Sequence, residues 1–270
     1  MEEQTALDKP GAGAADVAEI PKLDSASDLT PRVMGDFAEE LAPTFTVIWP
    51  CDAVVHGDAV DRALKPVVLR PGEFGRGRDL PVDRLAEIDA ACAQHIMTRH
   101  QALSLRRQLL RAQPNGMRRV NQSPLMGDAQ GQQTYARIFE QAVGKYLRAQ
   151  DVAFVSQQQQ LAEVKSGLRQ RQPTPDILFT SPTTINGTNV FWLDCKVFYG
   201  TSLLTSNKKI PVGKLADVAQ KYSAHFGPGG FVFGQGFNTD LQTHLGPSVT
   251  LLDASPLDMS QLQAFQDQQA

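Results

Sequence analysis

The stretch "TPDILFTSPTTINGTNVFWLDCKVFYG", Thr174 to Gly200, decides how this chain is read. It carries Asp176 near its start, Asp194 eighteen residues later, and Lys196 two residues beyond that. Two apolar runs, "DILFT" (176–180) and "VFWLDCK" (190–196), flank "INGTN". Asn186-Gly187 favours the positive backbone angles of a tight turn, so the segment reads as a β-hairpin. Its three charges are either surface groups on an ordinary hairpin or ligands and an amine around a metal ion.

In a strand, alternate residues face one side. Val190, Trp192, Asp194 and Lys196 are therefore expected on one face, and Phe191, Leu193, Cys195 and Val197 on the other. Asp176, set behind Pro175, opens the partner strand, where pairing can bring its carboxylate to that of Asp194. Two carboxylates in contact repel unless one is protonated or a cation bridges them. Mg²⁺ takes one or two carboxylates together with waters and phosphate oxygens, and Mn²⁺ shares that preference for oxygen donors. A lysine beside them can hold an attacking water or neutralise developing charge. Such a donor set suits phosphodiester hydrolysis. The plain alternative is an exposed Asp–Lys pair, which contributes little.

The 270 residues are 41% apolar and 20% charged, enough for a packed core. A net charge of −3 excludes a uniformly basic surface but leaves room for a local basic patch. Cys51, Cys92 and Cys195 are far apart and form no C-x-x-C pair, which argues against a disulfide framework or zinc knuckle. The acidic first twenty residues do not resemble a signal peptide, and no apolar run reaches the ~18 residues of a membrane span. A reduced, intracellular chain with no membrane partner is expected.

Residues 1–43 are poor in aromatics and rich in Ala, Gly, Asp and Glu, and are expected to be disordered. Residues 44–125 are expected to form a mainly helical N-terminal region beginning with "TFTVIW" (44–49). It would contain a Gly-rich basic loop (70–78) that lacks a phosphate-binding fingerprint. One long helix is predicted from Pro81 to Ala112, with Leu85, Ile88, Cys92 and Ile96 along its stripe. Its basic second half (Arg99, Arg106, Arg107, Arg111) is either a nucleic-acid-facing surface or a solvated face. "QPNGMRRVNQSP" (113–124) breaks it. Residues 126–255 then read as helix (132–148), strands (152–155, 176–180, 190–196), a helix toward Tyr222, and strands in "FVFGQGF" and "VTLLDA". That order gives an α/β fold, with 256–270 as a tail. The glutamine run 157–160 is too short to act as a low-complexity tract, and His95 and His100 lie five apart, the wrong spacing for two ligands on one helix face.

"PD", a hairpin-length gap and "DCK" resemble the PD-(D/E)XK nuclease motif. With "WLDCKVFYG" and "HFGPGGFVFGQGF", the chain over roughly 131–253 resembles the TPD-motif family of such nucleases, which includes the codanin-interacting nuclease. The resemblance implies a restriction-endonuclease-like core, a mixed sheet flanked by helices, acting with Mg²⁺ or Mn²⁺ on DNA or RNA in the nucleus or cytoplasm. It implies Asp176 and Asp194 as metal ligands, with the Cys195 backbone carbonyl beside them, and Lys196 as the lysine. It also implies Glu140, fourteen residues before Phe154, as a further acid, against the plain reading of a solvated helix residue. Gln220 and Lys221 match a position for an accessory polar residue, while Lys208, Lys209 and Lys214 are either phosphate contacts or a solvated face. The family often carries an acid after the strand that holds Phe154. This chain has Ser156 and Gln157 there, and Gln157 or Gln159 can orient water or phosphate without replacing a charged ligand. A second reading is a weakly active or inactive nuclease-fold module that binds a codanin-like partner.

Overall fold

The computed structural model describes residues 45–52, 54–55, 57–70, 80–95, 97–113 and 129–267. The expected disordered segment, most of the Gly-rich loop, Ile96 and most of the predicted helix break lie outside them.

The hairpin forms as read. Strand β4 (Ile177–Ile185) and strand β5 (Thr188–Lys196) are antiparallel and joined at Asn186 and Gly187. Both turn residues take positive φ, 50° and 79°, the geometry that matches strand twist in a two-residue turn. The Asn186 side chain also grips the main chain of Trp49, accepting from its N–H and donating to its carbonyl, each at 2.8 Å. This ties the turn to strand β1 (Phe45–Val47), which lies parallel to the last residues of β4. Strand β3 (Phe154–Ser156) pairs antiparallel with the first residues of the same edge. On the other side, β5 runs parallel to β6 (Gly229–Phe233), and β6 parallel to β8 (Val249–Asp253). The result is one six-stranded mixed sheet. A short β2 (Val54–Val55) pairs separately with β7 (Phe237–Asn238).

Helices cover both faces, so the fold is α/β with a mixed sheet flanked by helices. On one face, Phe139, Val143 and Leu147 of α4 (Ala129–Arg148) pack on Ile177, Leu193, Val232 and Leu252. The other buries Trp192, Phe231 and Phe233 against Leu215 and Ala219 of α6 (Leu215–Phe226). Between them in the chain, α5 (Gln157–Lys165) follows β3 directly. After β7 come α7 (Asp240–Leu245) and, beyond β8, α8 (Ser260–Asp267). No helix among the described residues is long and apolar enough to cross a membrane.

Three segments differ from expectation. The predicted helix from Pro81 to Ala112 is two helices, α2 (Val82–Gln94) and α3 (Arg99–Ala112). Thr98 and Gln101 form a reciprocal capping box that starts α3 afresh, and the two halves fold against α1 (Gly57–Val68) around Leu64, Ile88, Leu105 and Leu109. Strand β1 belongs to the main sheet, so the helical region begins after it rather than at residue 44. The supposed tail is anchored: Leu257 and Leu262 are buried, and Asp258 pairs with Lys145 at 2.8 Å.

The helical layer is joined to the sheet through the residues after Lys196. Tyr199 is fully buried among the α1–α3 side chains. Its N–H donates to Ser104 Oγ at 2.9 Å, and its carbonyl accepts from Gln108 Nε2 at 2.7 Å. Its hydroxyl donates to Asp61, which also accepts from Thr201 Oγ1 and Asn238 Nδ2. Burial pushes the Asp61 carboxyl up to about 6, with those three donors opposing. Its contribution to stability is therefore full below about pH 4 and lost as pH rises through about 6. Asp61→Ala strands three buried donors and is expected to cost about 3 kcal/mol in urea denaturation. A midpoint unchanged from wild type would remove Asp61 from this role.

Candidate functional site

Simple counting from the Asn186-Gly187 turn would not bring Asp176 to Asp194. Near the turn Ile185 pairs with Thr188, Thr184 with Asn189 and Thr183 with Val190, a register that would set Phe179 opposite Asp194. The ladder breaks between Thr183 and Leu178, and beyond the break Leu178 pairs with Trp192 and Ile177 with Leu193. Pro182 stands in the break, where its missing N–H costs no ladder bond. The shifted register places Asp176 directly across from Asp194. Alternation also changes at the break: Val190 joins the Leu193 and Cys195 side, and Phe191 joins Trp192. From Trp192 to Lys196 it holds as expected, so Asp194 and Lys196 share a face.

The two carboxylates meet. Asp176 is hydrogen-bonded to Asp194, and its Oδ2 also accepts the Cys195 N–H at 2.6 Å. Asp194 is buried and receives Lys196 Nζ at 2.6 Å. Burial, then the Asp194 charge and hydrogen bond, push the Asp176 carboxyl up to about 9, with Glu140 adding to the rise and Lys196 opposing it. Without a cation the facing pair therefore holds a proton. Glu140, half-buried on α4, is raised by burial and by Asp194. Burial would lower Lys196, but the Asp194 charge outweighs it and the ammonium is held up. Such a lysine donates and neutralises; it does not serve as a base near neutral pH. Its charge also lies 5.6 Å from the Phe231 ring centroid.

Cys195 presents only its backbone to this centre. Its thiol sits half-buried beside the apolar core, where burial pushes it well up. Continuing the strand register sets Pro175 opposite Cys195. Proline has no N–H to offer that carbonyl, so the Pro of Thr-Pro-Asp leaves the Cys195 oxygen without a ladder donor beside the two acids. Among the described residues no group of three or more His, Cys, Asp or Glu side chains converges to enclose a metal ion. The donors that could hold an ion here are the Asp176/Asp194 pair with the Cys195 carbonyl. A buried carboxylate pair that must otherwise hold a proton fits a hard divalent ion of the Mg²⁺ or Mn²⁺ kind.

The glutamine run does more than its length suggested. Gln157 Nε2 donates to the Thr174 carbonyl at 2.9 Å, and its N–H to the Asp176 carbonyl at 2.9 Å. Gln160, fully buried, donates to the Pro175 carbonyl at 2.9 Å and the Val155 carbonyl at 3.2 Å. Gln159 closes a capping box with Ser156 at the start of α5. Gln157 and Gln159 are thus engaged by the protein's own chain, as props for the Thr174–Asp176 segment and for α5. Sequence reasoning missed Gln160, because only the tertiary contact reveals it. Gln160→Leu leaves the Pro175 carbonyl without its donor and is expected to cost about 1–2 kcal/mol in chemical denaturation. A variant as stable as wild type would exclude this bracing role.

Gln220 and Lys221, expected near the site, are exposed on α6. The helix residue that approaches the acids is Tyr222, which the sequence did not single out. Its hydroxyl stands 3.5 Å from the Thr174 carbonyl and its ring lies edge-on to Trp192. Burial, then Asp194 and Asp176, raise its pKa. Of the α3 arginines, Arg99 pairs with Asp89 and Arg106 donates to the Val68 carbonyl at 2.6 Å, so both are structural. Arg107 and Arg111 are half-buried one turn apart, and burial lowers both.

The family described as "Protein of unknown function TPD sequence-motif" matches residues 119–255, over half of the chain. The chain belongs to the TPD sequence-motif family. No curated protein and no solved structure matches it. The matched TPD region contains every residue of the carboxylate–lysine centre, its glutamine props and Tyr222. Helices α1 to α3, which clasp Tyr199, lie before it.

Proposed function

We propose that this TPD protein is a metal-dependent nuclease with a restriction-endonuclease-like (PD-(D/E)XK) core, hydrolysing phosphodiester bonds in DNA or RNA. The observation that carries the reading is the directly opposed Asp176/Asp194 pair with Lys196 bonded to one of its members. Asp176, Asp194 and the Cys195 carbonyl would hold Mg²⁺ or Mn²⁺, which when bound polarises a phosphate oxygen and acidifies a water. Lys196, kept as an ammonium, neutralises charge that gathers on the phosphate oxygens as water adds to phosphorus and the bond to the leaving oxygen breaks. Glu140, raised by burial and the Asp194 charge, would take a proton from the attacking water. Gln157, Gln160 and Tyr222 fix the Thr174–Asp176 backbone that aims Asp176.

A second reading, a nuclease-fold module that binds a codanin-like partner, draws on Gln157, a neutral side chain bound to Thr174 where a further acid would strengthen metal binding. The test is cleavage of labelled DNA and RNA with Mg²⁺ or Mn²⁺. Cleavage by wild type that chelator abolishes is expected. No cleavage of either polymer with either ion would overturn the nuclease reading and leave the binding module.

A further inference from the structure

Lys196 also lines a cavity of about 370 Å³ whose walls include Phe198, Lys209, Lys214, Leu215 and Val218. Three lysines and no Asp or Glu are among its lining residues. Nearby Asp217 is paired with Lys208 at 2.6 Å. The lysine-bearing loop is held in shape. Ile210 and Val212 are buried, and Asn207 Oδ1 accepts the Lys209 N–H at 3.0 Å. A Cβ on Gly213 would meet the Asn207 carbonyl oxygen at 1.9 Å, so only glycine lets the loop close this tightly. Lys209 and Lys214 are exposed, with their backbones fixed beside a partly buried aromatic ring.

The volume is that of a small-ligand site and is far too small for a duplex. Cationic groups beside an aromatic wall are what a single-stranded polynucleotide needs: charge for its phosphates and a ring against which a base can stack. We propose that this cavity takes one nucleotide of a single strand, with phosphates on Lys209 and Lys214 and the base against Phe198. Lys196 then lies between that nucleotide and the carboxylates. The choice of polynucleotide rests on the nuclease reading, and it makes single-stranded or frayed nucleic acid the substrate.

Binding without metal separates the two ideas, because no cleavage enters. With chelator present, the full chain should bind a fluorescein-labelled single strand of about 12 nucleotides at least tenfold more tightly than the matching duplex. Lys209→Ala with Lys214→Ala should weaken single-strand binding about tenfold and flatten the slope of log affinity against log salt by about 1.4. Phe198→Leu should weaken it about fivefold and leave the slope unchanged. Equal or tighter duplex binding, or a double lysine variant that binds like wild type, would overturn the proposal. Failure of the nuclease reading would show instead as absent cleavage with Mg²⁺ or Mn²⁺, whatever the affinities.

Discussion

Asp194→Asn is expected to lower metal-dependent cleavage by about a thousandfold and to leave the metal-free protein folded but somewhat less stable. Both effects have one cause. Asp194 faces Asp176 across the shifted register and receives Lys196 at 2.6 Å, so its charge opposes one neighbour and holds the other. An asparagine keeps the volume and donates to Asp176 as the shared proton did, but it leaves the Lys196 ammonium without its carboxylate. The same change removes half of the carboxylate pair that would hold the ion. It also takes away the charge that keeps Lys196 aimed at the centre. The pair of readouts is a single-turnover cleavage assay and a thermal melt in chelator. Cleavage within about tenfold of wild type would sink the catalytic assignment. Lost activity with no cooperative melting transition would mean that the substitution had damaged the fold instead.

The hairpin, the shared face of Asp194 and Lys196, and the strand order after Tyr222 were legible because strand alternation and an Asn-Gly turn are local signals. The step that makes the site was not local. Counting from the turn pairs Asp194 with Phe179, and only the break around Pro182 shifts Asp176 into place. That Pro182 was visible as a residue, but the number of residues the break absorbs is fixed by β3 and β1, which meet the two halves of β4 separately. The Thr98-x-x-Gln101 box was likewise present in the sequence, yet apolar periodicity runs through it and suggested one helix where there are two. Gln160 and Tyr222 escaped notice because their partners are backbone carbonyls at Pro175 and Thr174, which no side-chain motif records. Tyr199 follows strand β5 in the sequence like a site residue, but its bonds go to Ser104, Gln108 and Asp61 of the helical layer. Part of the motif therefore joins two layers and the other part forms the carboxylate–lysine centre.

Adding Mg²⁺ or Mn²⁺ to the metal-free protein is expected to raise its melting temperature, and the rise should grow with pH. Asp176 is held at about 9 by burial and by Asp194, well above the ~3.9 of an unfolded carboxylate. The folded state thus keeps a proton that the unfolded state gives up, so metal-free stability falls as pH climbs from about 4 through about 9. A divalent ion replaces that proton and cancels the repulsion in its place. At a hundred times its dissociation constant the ion adds about 2.7 kcal/mol, roughly 5–10 °C for a chain of this size. Because binding expels a proton, affinity should rise about tenfold per pH unit below 9. Thermal melts with Mn²⁺ at about pH 6.5 and about pH 8.5 would read this, with Asp176→Asn as the control. The variant should melt higher than wild type in chelator and gain little from the ion. An equal gain in the variant would place the ion elsewhere, and no gain in wild type at either pH would show that the facing acids keep their proton against a metal.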